Sequence, residues 1–98
     1  MTNENYYVYM LTNHNNDVIY VDMINDRAVQ TFAHTSELLD GFTKQYEVNK
    51  LVYYEVIEDI RTAMEREREI KKLRRDEKNK LVEIMNPKWN DLMHQLIK

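Results

Sequence analysis

Tyr6-Tyr7-Val8-Tyr9-Met10-Leu11, then Thr12-Asn13-His14-Asn15-Asn16-Asp17, then Val18-Ile19-Tyr20-Val21: this run reads as two strands around a turn. The first block is aromatic and β-branched, which suits a pleated, half-buried surface. The second is dense in Asn and Asp, whose side chains bond to nearby backbone and tolerate left-handed conformations. The third returns to strand composition. Two such blocks around a short polar turn predict a β-hairpin. Side chains alternate along a strand, so Tyr7 and Tyr9 share one face and Tyr6 the other.

Working outward, Asn25 or Asp26 is placed to cap a helix. Val29, Phe32 and Ala33 give that helix an i, i+3, i+4 apolar stripe, with Asp26, Gln30 and His34 on another face. The stretch from Thr35 to Glu47 contains the lone glycine, Gly41, and reads as a loop with at most one helical turn. Leu51-Val52-Tyr53-Tyr54-Glu55-Val56 is a third strand. Asp59 can cap a second helix over about residues 60–73, with Ile60, Ala63, Met64 and Ile70 at helical spacing. A break near Leu73–Asp76 leads to a further helix with Leu81, Ile84 and Met85 inward, ended by Asn86-Pro87. Trp89 and an amphipathic tail with Leu92, Met93 and Leu96 follow.

The chain has 98 residues, which is one domain's worth, and no cysteine, so a disulfide framework and thiolate chemistry are excluded. A single glycine excludes a Gly-rich phosphate loop. No stretch approaches the roughly 20 apolar residues that span a bilayer. Met-Thr-Asn-Glu-Asn lacks the basic and apolar blocks of a signal peptide. The net charge of −3 argues weakly against nucleic acid as a partner. That figure is a composite, however. Residues 1–60 carry three bases against ten acids, whereas residues 61–80 carry nine bases against five acids. Local potential recruits a polyanion more than net charge does. The plain alternative is a solvated helix laced with pairs such as Glu67–Lys71.

Three residue types can carry chemistry. Glu67 lies three residues from Met64 and from Ile70, on the apolar stripe of its helix. An inward carboxylate ordinarily meets a cation, a metal or hydrogen-bond donors, because desolvating it costs several kcal/mol. The plain alternative is a side chain at the stripe's edge that reaches water. The tyrosines can orient or deprotonate a water or hydrogen-bond a phosphate, although Tyr also simply packs well in strands. His34 can serve as a general base. The three histidines have no metal-ligand spacing, which excludes a zinc site of the usual kind.

Taken in order along the chain, these pieces resemble the small single-domain members of the GIY-YIG nuclease superfamily. Tyr7-Val8-Tyr9 is similar to the first motif and Tyr20-Val21-Asp22 to the second, with Asp22 where the family has Gly. Asn25-Asp26 opens the following helix, and His34 matches the His that follows its arginines. Asp40-Gly41-Phe42-Thr43-Lys44-Gln45-Tyr46 and Asn49-Lys50-Leu51-Val52-Tyr53-Tyr54-Glu55 resemble the loop and third strand. Glu67 aligns with the metal-binding Glu, and Asn86-Pro87-Lys88-Trp89 with the closing Asn-Pro-x-Trp motif.

The resemblance implies a mechanism. A Glu holds one divalent cation, which stabilises charge on the phosphate and the leaving oxygen. The motif tyrosines and a His or Tyr position and activate water, and an Arg on the first helix clamps the phosphate. At that Arg position this chain has Gln30, preceded by Val29. The nearest base, Arg27, points about 60° away around a helix. Losing such a clamp costs about 10²–10³ in rate. Asp22 adds a carboxylate that repels phosphate unless it recruits metal. Ile24 and Leu73 also depart, from Thr and Trp.

The resulting expectation is an α+β domain spanning residues 1–98. It has a three-stranded antiparallel sheet flanked by helices, in the order β-β-α-β-α-α. Its function is that of an endonuclease-like, nucleic-acid-associated protein whose phosphodiester hydrolysis is weak or lost. The alternatives are an active metal-dependent endonuclease with a variant site and a protein-interaction module. Tyr9, Tyr20, His34, Glu67 and Gln30 form the expected catalytic set. Glu67 and Asp22 are expected to bind Mg²⁺ or Mn²⁺ if the site is active. Arg27, Arg66, Lys71, Lys72, Arg74 and Arg75 are expected to contact nucleic acid, and Asn86 to be structural. DNA is the expected partner, with RNA or a protein as alternatives, no membrane, and a cytoplasmic location.

Overall fold

The structure is a computed structural model and describes residues 4–27, 29 and 50–96. Strands β1 (Tyr6–Thr12), β2 (Ile19–Asn25) and β3 (Lys50–Ile57) form one antiparallel sheet in the order β2-β1-β3. Helices α1 (Ile60–Lys72) and α2 (Arg75–Met85) and the single turn α3 (Met93–Leu96) follow. The expected α+β architecture is therefore present. The helix expected after the hairpin is described only at residues 26, 27 and 29, which are helical. The remainder of that helix, with Gln30 and His34, and the loop with Gly41 lie outside the described residues.

The hairpin closes where the Asn cluster sits. Asn13 Oδ1 accepts from the Asp17 and Val18 amides at 2.7 and 3.3 Å, and Asn16 takes a left-handed φ of 59°. Asn tolerates that region because its short polar side chain can bond locally. The register sets Tyr9 opposite Asp22 in β2 and opposite Tyr54 in β3. A shift between Met10 and Leu11 breaks the β1–β3 register.

The central strand gives the sheet two buried faces. Val8, Met10 and Val21 pack with Tyr53 against Ala63 and Ile70 of α1 and Val82 of α2. Tyr9 and Leu11 pack with Leu51 and Leu92, with Tyr20, Ile24, Tyr54 and Met93 at the margin. The C-terminal segment covers this second face. The Leu92 amide donates to the Leu51 carbonyl at 2.7 Å, and the Leu51 amide to Asp91 Oδ1 at 3.1 Å.

Asp59 caps α1 as expected: its carboxylate accepts from the Thr62 amide at 2.8 Å. The helix breaks at Leu73 and resumes at Arg75, as expected. Two core assignments need correction. Of the expected α1 stripe, Ala63 and Ile70 are buried, whereas Ile60 and Met64 are about half exposed. In α2 the buried residue is Val82, while Ile84 and Met85 are exposed. A short helix against a sheet buries a narrow stripe, and apolar residues one step around it remain in water. Asn86 is buried; its side chain donates to the Val52 and Asn90 carbonyls and accepts from the Asn90 amide. These bonds tie the end of α2 to β3. Asn86 also brackets Trp89, whose φ of 56° is left-handed, an unusual conformation for a bulky residue.

Candidate active site

Four of the expected side chains come together at the β2 edge of the sheet. Tyr9 and Asp22 are cross-strand partners and share a face. Tyr20 is two residues before Asp22 and therefore on the same face. Its hydroxyl donates to Asp22 Oδ2 at 2.5 Å, and the Met23 amide donates to Asp22 Oδ1 at 2.8 Å. Glu67 comes from α1, which crosses the sheet with Arg66 toward β3 and Glu67 toward β2. The Glu67 carboxyl lies within hydrogen-bond reach of Asp22, and its Oε2 is 3.6 Å from Lys71 Nζ. Its side chain is only 20 % exposed, so it points inward, as its place on the stripe predicts.

The environment pushes three of these groups toward their neutral forms. Burial raises the Tyr9 phenol far above its ordinary value, and the charges of Asp22, Tyr20 and Glu67 add to this. Burial also raises Tyr20, to about 12, reinforced by its hydrogen bond to Asp22 and by the Asp22 and Glu67 charges. Both phenols are hydrogen-bond donors at neutral pH rather than phenolate bases. Burial raises Glu67 as well, helped by the hydrogen bond and charge of Asp22 and opposed by Lys71. Among the described residues no group of three or more His, Cys, Asp or Glu is placed to hold a metal; the carboxylate set here is a pair.

The basic residues divide into anchored and outward-facing groups. Arg66 meets Glu55 with Nε at 2.9 and 3.0 Å and Nη2 at 2.9 Å, and reaches Glu69 at 3.2 Å. Tyr53 also donates to Glu55. Arg75 donates from Nη1 to the Asp17 carbonyl at 2.8 Å, from Nη2 to the Asn16 carbonyl, and from Nε to Asn79 at 2.9 Å, which ties α2 to the hairpin turn. Both guanidinium groups therefore hold the fold together. Lys71 pairs with Glu67, and Arg74 lies 3.4 Å from Asp76 while remaining 76 % exposed. Lys72 is exposed on α1, and Arg27 is exposed at the start of the helix after the hairpin.

The Glu55–Arg66 pair was not anticipated from sequence, although Glu55 interrupts an otherwise apolar strand and marked the place. Tyr7 is a further site neighbour: burial raises its phenol to about 12, helped by a hydrogen bond to Asp26, which also accepts from the Asn5 amide at 2.9 Å. Among the described residues no helix is long and apolar enough to cross a membrane. No curated protein and no solved structure matches the chain significantly. The family model of the GIY-YIG catalytic domain matches residues 5–81 of the 98, a span that holds both motif tyrosines, Asp22 and Glu67, and the chain belongs to that family.

Proposed function

We propose that this chain is an endonuclease-like domain that engages nucleic acid and hydrolyses phosphodiesters weakly or not at all. One observation carries the reading. Asp22, where the second motif has Gly, sets a carboxylate beside Glu67 and takes the Tyr20 hydroxyl as its donor. A phosphodiester approaching this site meets two carboxyl groups, with the Lys71 amine beside Glu67. Gln30 at the position of the motif Arg supplies no charge, and loss of such a clamp costs about 10²–10³ in rate.

The divalent cation implied by the family fits the donors present, because paired carboxylates and phenol oxygens are hard ligands suited to Mg²⁺ or Mn²⁺. Glu67 would hold it, and when bound it supplies charge stabilisation at the phosphate and the leaving oxygen. The chain's own residues do the positioning. Tyr9, kept protonated, donates a hydrogen bond that orients water or a phosphate oxygen, and Tyr20, whose proton goes to Asp22, accepts one from water. His34 is the candidate proton acceptor. The exposed Lys72, Arg74 and Arg27 are the phosphate-contacting candidates. DNA is the favoured partner, with RNA as the alternative, and the reading takes the protein to act in the cytoplasm.

Incubation of the purified chain with supercoiled plasmid and Mg²⁺ or Mn²⁺ tests this. The expected result is nicking no faster than that of Glu67→Ala, together with DNA affinity that falls as salt rises. Robust nicking abolished by Glu67→Ala overturns the loss of catalysis. Affinity that is absent or indifferent to salt favours a protein-interaction module. A second reading, an active endonuclease with a variant site, is favoured by the convergence of Asp22 on Glu67, which offers two carboxylates where the motif residues offer one.

A further inference from the structure

We infer that the C-terminal strap, residues 91–96, is a gate over the tyrosine face of the sheet. It lifts from β3 as a unit while the sheet stays folded, and lifting admits solvent and nucleic acid to Tyr9. The nucleic-acid part of the inference rests on the reading of Tyr9 as a site residue.

Tyr9 is only 5 % exposed, yet the proposed role of its phenol requires contact with water or phosphate. Among the described residues it shares its buried cluster with Leu11, Leu51 and Leu92, and Met93 and Leu96 pack at the margin. Leu11 and Leu51 belong to β1 and β3 and move only if the sheet breaks. Leu92, Met93 and Leu96 all belong to the strap, which is free to move without it.

The strap is fixed at its root and lightly held along its length. The buried Asn86 side chain donates to the Val52 and Asn90 carbonyls and accepts from the Asn90 amide, which sets the hinge just beyond Asn90. From there three hydrogen bonds reach β3. The Leu92 amide donates to the Leu51 carbonyl at 2.7 Å, the Leu51 amide to Asp91 Oδ1 at 3.1 Å, and the Tyr54 hydroxyl to Gln95 Oε1 at 3.0 Å. The last is exposed, so water replaces it at little cost. Asp91, His94 and Gln95 are exposed, and Leu92 is the strap's one buried side chain. A single helical turn such as α3 has little stability of its own. Segments with few buried apolar contacts and exposed hydrogen bonds open locally before the whole fold does. Tyr54 is the cross-strand neighbour of Tyr9. Release of Gln95 therefore frees the phenol beside Tyr9 in the same event that withdraws Leu92 from the cluster.

Hydroxyl-radical footprinting of the full chain, read by mass spectrometry, tests the gate without any ligand. Leu92→Ala and Gln95→Ala loosen the strap without changing charge. Both are expected to raise oxidation of Tyr9 at least about threefold, while Met10, fully buried on the opposite face, stays protected. Gln95→Ala, an exposed substitution, decides the matter if Leu92→Ala loosens the whole fold. In the wild type, the Leu51 and Leu92 amides are expected to exchange with deuterium at least about tenfold faster than those of the β1–β2 ladder. Unchanged Tyr9 oxidation in Gln95→Ala, a matching rise at Met10 in that variant, or exchange at Leu51 and Leu92 as slow as the ladder overturns the gate. The same proteins titrated with a DNA duplex separate the two claims. Tighter binding by the variants than by wild type supports the inference, and equal or weaker binding overturns the admission of nucleic acid. No DNA affinity in any of the three counts against the nucleic-acid reading alone, because footprinting and exchange decide the gate by themselves.

Discussion

Position 22 holds a carboxylate whose neighbours are another carboxyl group and two buried or half-buried phenols. Burial and the Asp22 carboxylate raise Glu67, so its charged form is the costly one in the folded chain. The sign follows directly. Above the raised value the native state carries the cost of an ionised Glu67; below the ordinary value of 4.5 the cost is absent. Glu67→Gln is therefore expected to be more stable than wild type near pH 7.5, by a few degrees at about 4–8 °C per kcal/mol for a domain this size. The gain should vanish as the pH falls toward 4. Thermal melts across that range check it, and a Glu67→Gln variant that melts lower than wild type at pH 7.5 contradicts it. The inward turn of Glu67 was legible in the sequence from its spacing to Met64 and Ile70. Its meeting with Asp22 was legible only through the family motif, since 44 intervening residues hide a contact made by the fold.

At the scale of elements, α1 is held at both ends and across its middle. Asp59 caps its first turn, the break at Leu73 ends it, and Arg66 fastens it to β3 through Glu55. Burial works to raise Glu55, but hydrogen bonds from Arg66 and Tyr53 outweigh it and leave the carboxyl below its ordinary value of 4.5. A lowered carboxyl adds stability above its unfolded value and loses it as pH falls through the folded value. Arg66→Met is expected to cost about 1–3 kcal/mol near pH 7, between the exposed and buried limits for such pairs. The deficit should shrink as pH falls through the lowered Glu55 value, where the carboxyl becomes protonated in the wild type as well; denaturant melts at neutral and at strongly acidic pH measure it. A deficit unchanged by pH would place the effect in lost packing instead. Because α1 is fastened on the β3 side, Glu67 on its other flank is held toward β2. Helix phase was the illegible part: Ile60, Met64, Ile84 and Met85 fit an apolar period, yet a sheet buries a narrower stripe, centred on Ala63, Ile70 and Val82.

At the scale of the whole molecule, the two faces of the sheet have different work. One packs against α1 and α2 and makes the larger core; the other carries Tyr9, Tyr20 and Asp22 and is closed by the C-terminal segment through Leu92, Asp91 and Asn86. The hairpin, the third strand and the helix break were readable from composition and turn chemistry. The segmental charge was readable too, but not its use. Arg66 and Arg75 hold the fold, while Lys72 and Arg74 are exposed bases of the expected set. The fold thus persists around a site that we read as altered at Asp22 and Gln30. The central claim is that these two residues, and not a failure of the scaffold, suppress hydrolysis. The most direct test is the Mg²⁺-dependent nicking rate of the folded Asp22→Gly/Gln30→Arg double variant against wild type. The account predicts at least about a 10²-fold increase, abolished by adding Glu67→Ala. A wild-type chain that nicks as fast as the double variant would contradict it.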